Sequence, residues 1–356
     1  MSFWQQLPKP FFVSAPMADV TDAPFRRMIA KYSAHERTDG TIKGPDAMWT
    51  EFVAGDGLVL ANPEGRKKLL SNLIYSEAER PIVAQLFTSN PEHMEIASKL
   101  VAELGFDGVD INMGCPDRSI ERQGCGSAMI KNPQSAREVI RAAKKSGLPV
   151  SVKTRIGYYK NQLEEWLPLI LEESPAVVTI HARTRKEMSK VPAKWERVKR
   201  AVEIRNEMKS ETLIIGNGDV LSREDGLEKA EFSGADGVMV GRALFGNPWF
   251  FHPHISLPLR LTALPTSGVD RDTITKKDTS DTKLEYVSVE ERLQVMIEHT
   301  KLFVELLPHK NFAVMKKHYK AYVNSFPGAS ELRAKLMEQN SPAEVETVVN
   351  DFMAKL

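Results

Sequence analysis

Cysteine is scarce in this sequence: Cys115 and Cys125 are the only two among 356 residues. Two thiols cannot staple a chain of this length, and they do not form a C-x-x-C pair, so we expect free thiols rather than a disulfide. An excess of either charge is also missing, because 48 Lys and Arg face 47 Asp and Glu. The net charge of +1 therefore gives no bulk sign of a nucleic-acid partner.

Long apolar runs are absent as well. None approaches the roughly 18 residues that a bilayer-spanning helix needs, so we expect no membrane partner. The first ten residues show neither a basic segment followed by an apolar one nor a cleavage pattern, and we therefore expect a cytoplasmic protein. The hydrophobic content of 42% and the charged content of 27% are typical of a globular protein and exclude a disordered or collagen-like chain.

Eight short runs rich in apolar and β-branched residues recur in the first two thirds of the chain. They span residues 11–17, 47–52, 81–87, 108–114, 149–157, 176–182, 212–218 and 237–243. Helical spacing occurs between most of them, for example over 91–104 and 193–208. Because runs that are apolar throughout indicate strands buried on both faces, the pattern predicts a parallel sheet. We predict a TIM (β/α)8 barrel over residues 1–250, with a doubly wound open sheet as the alternative.

Polar residues at the ends of almost all these runs favour the barrel. In a TIM barrel the carboxyl ends of all eight strands surround one mouth, where active sites lie. We therefore expect one site lined by Pro16, Met17, Glu51, Gln85, Asn112, Cys115, Lys153, Arg155, His181, Arg183, Asn217, Asp219, Gly241 and Arg242.

A phosphate site is predicted where the seventh and eighth runs end. Gly216-Asn217-Gly218-Asp219 and Gly241-Arg242 stand there, and barrels that bind phosphate hold it in these two loops. Lys153 lies in a buried strand, where a charge is costly unless paired, so a ligand contact is favoured over an internal ion pair. Gln85 and His181 can bond a heterocycle or a phosphate, although the core often satisfies such a histidine. No spacing indicates a metal site.

Cys115 is the sharpest candidate for chemistry. It follows a strand end and precedes Pro116, at the start of a polar loop that runs to Gly126. Its thiol is therefore displayed toward the mouth, whereas Cys125 is better suited to a buried structural place. No His and Asn partners identify a thiolate nucleophile. A thiol that stays protonated, as its usual pKa of about 8.5 allows, can instead be a general acid.

The pattern changes after residue 250. Residues 251–287 are rich in Pro, Ser, Thr, Asp and Lys, and we predict a linker or mobile insertion there. Helical spacing returns over 289–307, 312–326 and 330–356, which predicts a helical domain over 288–356. Within it, residues 306–335 carry six Lys and Arg against the single acid Glu331, on the side opposite an apolar face. Both a solvated face and an RNA-contacting face are consistent with this charge.

Several motifs occur in order over residues 11–250. They are Ser14-Ala15-Pro16-Met17-Ala18-Asp19-Val20-Thr21-Asp22-Ala23-Pro24-Phe25-Arg26, Thr50-Glu51, residues 110–116, Lys153-Thr154-Arg155, His181-Ala182-Arg183-Thr184-Arg185, residues 216–219 and Gly241-Arg242. Together they resemble the tRNA-dihydrouridine synthase family, and the segment from Lys317 to Arg333 resembles that family's C-terminal helical domain. The resemblance implies an FMN-bearing barrel that reduces the C5–C6 double bond of a uridine in tRNA, with NADPH as the reductant.

The resemblance also implies a role for each matched residue. Reduced FMN would give a hydride to C6 of a flipped-out uracil, and Cys115 would protonate C5. The flavin would contact Pro16, Met17, Ala18, Gln85 and Lys153, with His181 between it and the substrate or phosphate. The ribityl phosphate would be held by Asn217, Gly218, Asp219, Gly241 and Arg242. Asn112 and Arg155 would contact the base, and the other substrate contacts would be Arg183, Lys316, Lys317, Lys320 and Arg333.

Two other functions stay open at this stage. A flavin barrel that acts on free pyrimidines would share the hydride chemistry but would not need the helical domain. An RNA-binding folding aid would not need Cys115. The sequence departs from the family pattern at Asp19, Thr88, Ala182 and Cys125 without losing a catalytic group. The expected partner is tRNA, with no metal and no membrane, and we expect the chain to act as a monomer.

Overall fold

The computed structural model describes residues 2–257 and 285–355. Residues 258–284, most of the predicted linker, lie outside the described residues. Eight parallel strands form a barrel: β1 (Phe11–Ser14), β2 (Met48–Trp49), β3 (Ile82–Phe87), β4 (Gly108–Met113), β5 (Val150–Arg155), β6 (Val177–His181), β7 (Leu213–Asn217) and β8 (Gly237–Val240). Each predicted run contains one of these strands, and the TIM-barrel prediction is confirmed.

The barrel closes between β1 and β2. Consecutive strands pair from β2 to β8, and β8 pairs with β1. Across the remaining seam, the Asp46 amide donates to the Phe12 carbonyl (2.8 Å) and the Ser14 amide donates to the Ala47 carbonyl (3.3 Å). The short strand Val53–Ala54 extends the pairing with β3 beyond β2. Because both ends of the sheet meet at this seam, the doubly wound alternative is excluded.

Helices surround the barrel. They are α1 (Ala23–Tyr32), α2 (Gly55–Leu60), α3 (Pro63–Leu70), α4 (Pro91–Glu103), α5 (Arg118–Glu121), α6 (Pro133–Lys144), α7 (Leu163–Leu171), α8 (Trp195–Glu207) and α9 (Arg223–Ser233). Their starts follow from sequence: Asn90 and Asn132 cap α4 and α6 through their side-chain oxygens, each before a proline in the first turn. The helices predicted over 91–104 and 193–208 are α4 and α8.

The amino-terminal segment fills the bottom of the barrel. Trp4, on the 3-10 helix Phe3–Gln6, is 1% exposed, and its ring centroid lies 5.9 Å from that of Phe11 and 5.5 Å from that of Trp49. This cluster closes the end of the barrel opposite the carboxyl ends of the strands. The sequence patterns above did not assign a role to Trp4.

Four helices follow residue 288 in the described part of the chain: α10 (Val289–Leu306), α11 (Lys316–Tyr322), α12 (Ala329–Glu338) and α13 (Pro342–Met353). The predicted stretch 330–356 is two helices rather than one, because Ser341 caps a new helix that has Pro342 in its first turn. The apolar face is buried as predicted, since Met315, Tyr319 and Tyr322 are at most 1% exposed.

The helical region packs directly on the barrel. Met28 on α1 and Trp249 belong to the same buried cluster as the cores of α10 and α11. The His318 ring stacks against Phe245, with centroids 5.9 Å apart, and Tyr32 donates its hydroxyl to Glu298 (2.6 Å). A continuous core therefore fixes α11 beside the loops that follow β1 and β8.

The described residues show neither a membrane-spanning helix nor a cluster of metal-ligating side chains. None of their helices combines the length and apolarity required to cross a bilayer. They also contain no group of three or more His, Cys, Asp or Glu placed to hold a metal ion.

Candidate active site

Buried polar side chains on three neighbouring strands form a hydrogen-bonded network beneath the mouth. Gln85 on β3 donates through Nε2 to Asp110 Oδ2 (2.6 Å) and accepts at Oε1 from Asn112 Nδ2 (2.9 Å). Ser151 on β5 donates to the other Asp110 oxygen (2.5 Å). Burial raises the pKa of Asp110 to about 6 even though these donors oppose the shift. This network fixes both the nitrogen and the oxygen of the Gln85 amide, and it holds Asn112 in place.

The loop that carries Cys115 is held by its backbone. Asn112 Oδ1 accepts from the amides of Gly114 (3.1 Å) and Cys115 (2.9 Å). The Ser127 amide donates to the Cys115 carbonyl (2.9 Å). The Cys115 thiol is half-buried, and burial raises its pKa. The loop thus presents a fixed, protonated thiol, whereas Cys125 is fully buried.

Arg155 supports this loop from the end of β5. Its Nε donates to the Gly114 carbonyl (2.7 Å), and one Nη donates to the carbonyls of Thr184 and Met188 (3.1 Å each). The residue is 7% exposed, and burial lowers its pKa to about 10. Its guanidinium therefore connects the Cys115 loop with the loop after β6.

Glu121 joins the loops after β4 and β6. Arg185 Nε donates to Glu121 Oε1 (2.9 Å), an Nη contacts the second carboxylate oxygen, and that Nη also donates to the Pro116 carbonyl (3.3 Å). The Ser127 hydroxyl donates to Glu121 as well (2.8 Å). The Arg185 guanidinium lies 5.4 Å from the centre of the Tyr158 ring, in the loop after β5. No sequence pattern distinguishes Glu121 from a solvated acid, and the motif that contains Arg185 gives it no role of its own.

Lys153 places a cation inside the mouth. Its Nζ donates to Asn217 Oδ1 (3.2 Å), while Asn217 Nδ2 donates to the Met239 carbonyl (2.8 Å). Burial, together with the charge of Arg155, lowers the pKa of Lys153 to about 8. An ammonium has three N–H donors, and the hydrogen bond described for it uses one. Lys153 therefore keeps the capacity to donate to a ligand.

His181 is neutral and fixed by Arg183. Arg183 contacts His181 Nε2 (3.1 Å), and because a guanidinium only donates, Nε2 accepts and the ring proton is on Nδ1. Burial and the nearby positive charges lower the pKa of His181 well below its usual value. Arg183 also donates to the Val191 carbonyl (2.6 Å) and to the Asp219 carboxylate, and it is 2% exposed. Its side chain is fully engaged within the protein.

The ends of β7 and β8 form the predicted phosphate region. Gly218 has φ of 129°, and a Cβ there would lie 2.7 Å from that of Ala193. A Cβ on Gly241 would lie 3.5 Å from Met17 Sδ, which is an ordinary contact, so Gly218 is the one of the two that requires a residue without a side chain. Asp219 pairs with Arg183 and Arg242. The Arg242 side chain stays 65% exposed, so it is the accessible cation of this region.

Residues after β1 line the mouth beside the helical region. Pro16 and Met17 are half-buried, and Ala18 is exposed. Lys317 on α11 donates to the Asp19 carbonyl (2.5 Å). This bond brings the predicted basic helix to the loop that also carries the predicted flavin contacts.

The other predicted basic residues differ in their placement. Lys316 is half-buried and Lys320 is exposed. Arg333 donates to the Val323 carbonyl (2.8 Å) and thus supports the loop after α11. Lys310, counted above only as part of the basic segment, pairs with buried Glu51 (2.9 Å) and ties the helical region to the end of β2.

Known proteins with similar sequences identify the family of this chain. The family model described as dihydrouridine synthase (Dus) matches residues 13–356. A Staphylococcus aureus (strain COL) protein named probable tRNA-dihydrouridine synthase is 37% identical over 100% of this chain and 97% of its own. The probable tRNA-dihydrouridine synthase 2 of Bacillus subtilis (strain 168) is 38% identical over 99% and 97%. Among solved structures, histamine dehydrogenase from Rhizobium sp. 4-9 matches 67% of this chain and 45% of its own, with 12% identity and a TM-score of 0.48. Since the family model and both relatives cover nearly the whole chain, it belongs to the dihydrouridine synthase family.

Proposed function

We propose that this protein reduces the C5–C6 double bond of specific uridines in tRNA to dihydrouridine, using FMN as its bound cofactor and NADPH as the reductant. The observation that carries the proposal is the Cys115 thiol, held by Asn112 and Ser127 and kept protonated by burial at the mouth that also contains Lys153. Family membership supports the substrate and the cofactor.

The residues of the mouth fit a flavin. Lys153 has donor capacity left beside Asn217, which suits the polar edge of an isoalloxazine ring. Gly241 is half-buried and carries no side chain, and exposed Arg242 supplies a cation for the phosphate. The complete proposed set is Pro16, Met17, Ala18, Gln85, Lys153, His181, Asn217, Gly218, Asp219, Gly241 and Arg242. FMN supplies the hydride when it is bound and reduced.

Two members of that set act through another residue. The Asp219 carboxylate would repel a phosphate, but it carries the hydrogen bonds of Arg183 and Arg242. We therefore assign Asp219 the task of orienting Arg242. Gln85, which is fully buried, holds Asn112 as well as facing the proposed ring.

Cys115 is the proposed general acid for C5 of the uracil. Once C6 is reduced, the base would carry negative charge, and the protonated Cys115 thiol would give its proton to C5 and be left as a thiolate. Asn112 fixes the backbone of Cys115 and keeps one N–H free for the base beyond its bond to Gln85. Arg155 and Arg183 are proposed to position the Cys115 loop and His181, because their guanidinium groups are buried and bonded within the protein.

The RNA is proposed to lie across the mouth and the helical region. Lys317 is bonded at the mouth, and Lys316 and Lys320 are on the same short helix. Their charges would neutralise phosphates close to the point where the target base enters. Arg333 supports this surface through its bond to the Val323 carbonyl.

The experiment compares wild type with Cys115→Ala and with Cys125→Ala as the matched control. Wild type should carry the absorbance bands of FMN and form dihydrouridine in unmodified tRNA when NADPH is added. Cys115→Ala should keep FMN and bind tRNA but lose about 10²–10⁴-fold in rate, whereas Cys125→Ala should stay active. A protein that cannot be loaded with FMN, or Cys115→Ala with the wild-type rate, would contradict the proposal. Reduction of free uracil in place of tRNA would favour a free-pyrimidine enzyme.

A further inference from the structure

Tyr159 stands out on the surface beside the Cys115 loop. It follows β5 and is 70% exposed. Phe232 (49%) and Tyr286 (59%) are the other aromatic side chains that are largely exposed in the described part of the chain. Phe232 lies near the C-terminal end of α9, which leads back into β8 at the bottom of the barrel. Tyr286 is on the strand Glu285–Tyr286, which pairs with Ile255–Ser256 outside the barrel. Of these three rings, Tyr159 is therefore the one in a loop that follows a barrel strand at its carboxyl end.

The Tyr159 ring is held at a defined angle. Its centroid is 4.6 Å from that of Tyr158, with an interplanar angle of 76°. The loop is fixed in turn, because a Cβ at Gly157, whose φ is 154°, would lie 2.0 Å from the Lys160 carbonyl. Amides from the loop after β6 also bond this loop: Lys186 donates to the Tyr158 carbonyl (2.9 Å). A ring that is exposed yet held in this way is suited to stacking.

The charges around this ring are mainly positive. Lys131 Nζ lies 4.3 Å from the centre of the Tyr158 ring. Lys131, Lys160 and Lys186 are all exposed. Of the carboxylates in the same loops, Glu121 pairs with Arg185, and Glu187 accepts from the amide and hydroxyl of Thr184. An exposed aromatic ring among cations is the combination that binds single-stranded nucleic acid, because bases stack on the ring and phosphates meet the charges.

We propose that Tyr159 is a stacking platform for an unpaired nucleotide of the RNA substrate, beside the nucleotide that enters the mouth. Lys131, Lys160 and Lys186 would contact the adjoining phosphates. Tyr159 is coupled to the catalytic loop through Tyr158 and Arg185, which bonds Glu121 and the Pro116 carbonyl next to Cys115. Tyr159 would therefore add an RNA contact on the barrel to the contacts made by the helical region. The inference rests on the proposed function.

The test uses the FMN-loaded protein with unmodified tRNA and compares Tyr159→Ala with Tyr159→Phe. Phe232→Ala, which removes an exposed ring far from the mouth, is the matched control. Tyr159→Ala should raise the Kd for tRNA, measured by fluorescence anisotropy, and the KM by about fivefold to a hundredfold. The kcat at saturating tRNA and the flavin spectrum should be unchanged. The Kd and KM of Tyr159→Phe should stay within about twofold of wild type, because stacking needs the ring rather than the hydroxyl. Those of Phe232→Ala should do the same, because that ring is far from the mouth.

The outcomes separate this inference from the function on which it rests. If wild type makes dihydrouridine and Tyr159→Ala keeps the wild-type Kd and KM, the platform is disproved while the enzyme stands. If Tyr159→Phe raises the Kd and KM for tRNA as much as Tyr159→Ala does, the hydroxyl rather than the ring is responsible. The stacking proposal is then also overturned. Wild type that takes up no FMN and modifies no tRNA would overturn the proposed function itself.

Discussion

Glu121 and Arg185 form a bidentate ion pair between loops that are 64 residues apart in the chain. Because Glu121 also accepts from Ser127, whose amide holds the Cys115 carbonyl, the pair fixes the position of the thiol. Loss of this contact should therefore affect the proton transfer more than the binding of flavin or RNA.

Glu121→Ala should lower kcat by about tenfold or more, since small displacements of a reacting group are costly. Glu121→Gln keeps an oxygen that can accept from Ser127, so it should lower kcat by less than Glu121→Ala does. The KM for tRNA and the FMN content should stay at wild-type levels, measured by steady-state kinetics and absorbance. Glu203→Ala, which removes an exposed partner of Arg200, is the control. Wild-type kcat in Glu121→Ala would show that the pair does not position Cys115.

The positions of the site residues could be predicted from sequence because a barrel imposes them. Once eight buried runs are recognised, their carboxyl ends must surround one mouth. Gln85, Lys153, His181 and Asn217 indeed stand on four of the barrel strands at that end. The prediction needed the order of the strands but no knowledge of side-chain contacts.

The contacts among those residues could not be predicted in the same way. Arg155 and Arg183 have the residue type of a substrate contact, yet each is buried and bonded to protein groups. Glu121 resembles any solvated acid until its partner 64 residues away is known. Pairings of this kind depend on how the loops fold over the mouth, which no local pattern records.

The Lys153 pKa of about 8 predicts how flavin affinity depends on pH. Below this pH the side chain is charged and can donate charge-assisted hydrogen bonds to the polar edge of the ring, and above it that charge is lost. FMN binding to flavin-free protein should therefore weaken as the pH rises from about 7 to about 9. Lys153→Met should bind FMN more weakly, and its affinity should be nearly constant across this range.

Titration of FMN fluorescence at several pH values gives both curves. Lys99→Met, on an exposed face of α4, controls for the loss of a lysine. If Lys153→Met kept the wild-type pH dependence, the titrating group would be another residue.

Arg26 and Glu79 form an ion pair in which both side chains are fully buried. Arg26 also donates to the Thr21 and Ile74 carbonyls, and Glu79 accepts from Ser76. Removal of one partner leaves a buried charge without its counterion, so Glu79→Ala should lower the free energy of unfolding by about 3–5 kcal/mol.

Chemical denaturation followed by tryptophan fluorescence measures this loss. Glu95→Ala removes a partner of exposed lysines and should lower the free energy of unfolding far less, because water screens exposed ion pairs. Equal losses in the two variants would mean that burial of the Arg26 pair does not set its contribution.

His299 and His318 predict a loss of stability in acid. Both are fully buried between the barrel and the helical region, and burial lowers the pKa of His299 to about 3 and that of His318 well below its usual value. In the unfolded chain each histidine binds a proton below about pH 6.5. The unfolded state therefore holds more protons between about pH 6.5 and 3, and the free energy of unfolding falls as the pH is lowered through that window. The free energy of unfolding falls by at most about 1.4 kcal/mol per pH unit for each histidine.

His318→Phe isolates this effect, because a phenyl ring can pack against Phe25 and Phe245 without titrating. Denaturation measured at pH 7.5, 6.5 and 5.5 should show a smaller loss of stability on acidification in His318→Phe than in wild type. His309→Ala, at an exposed position, controls for the loss of a histidine. A wild-type slope in His318→Phe would mean that His318 takes up its proton without unfolding, and the buried neutral state would be disproved.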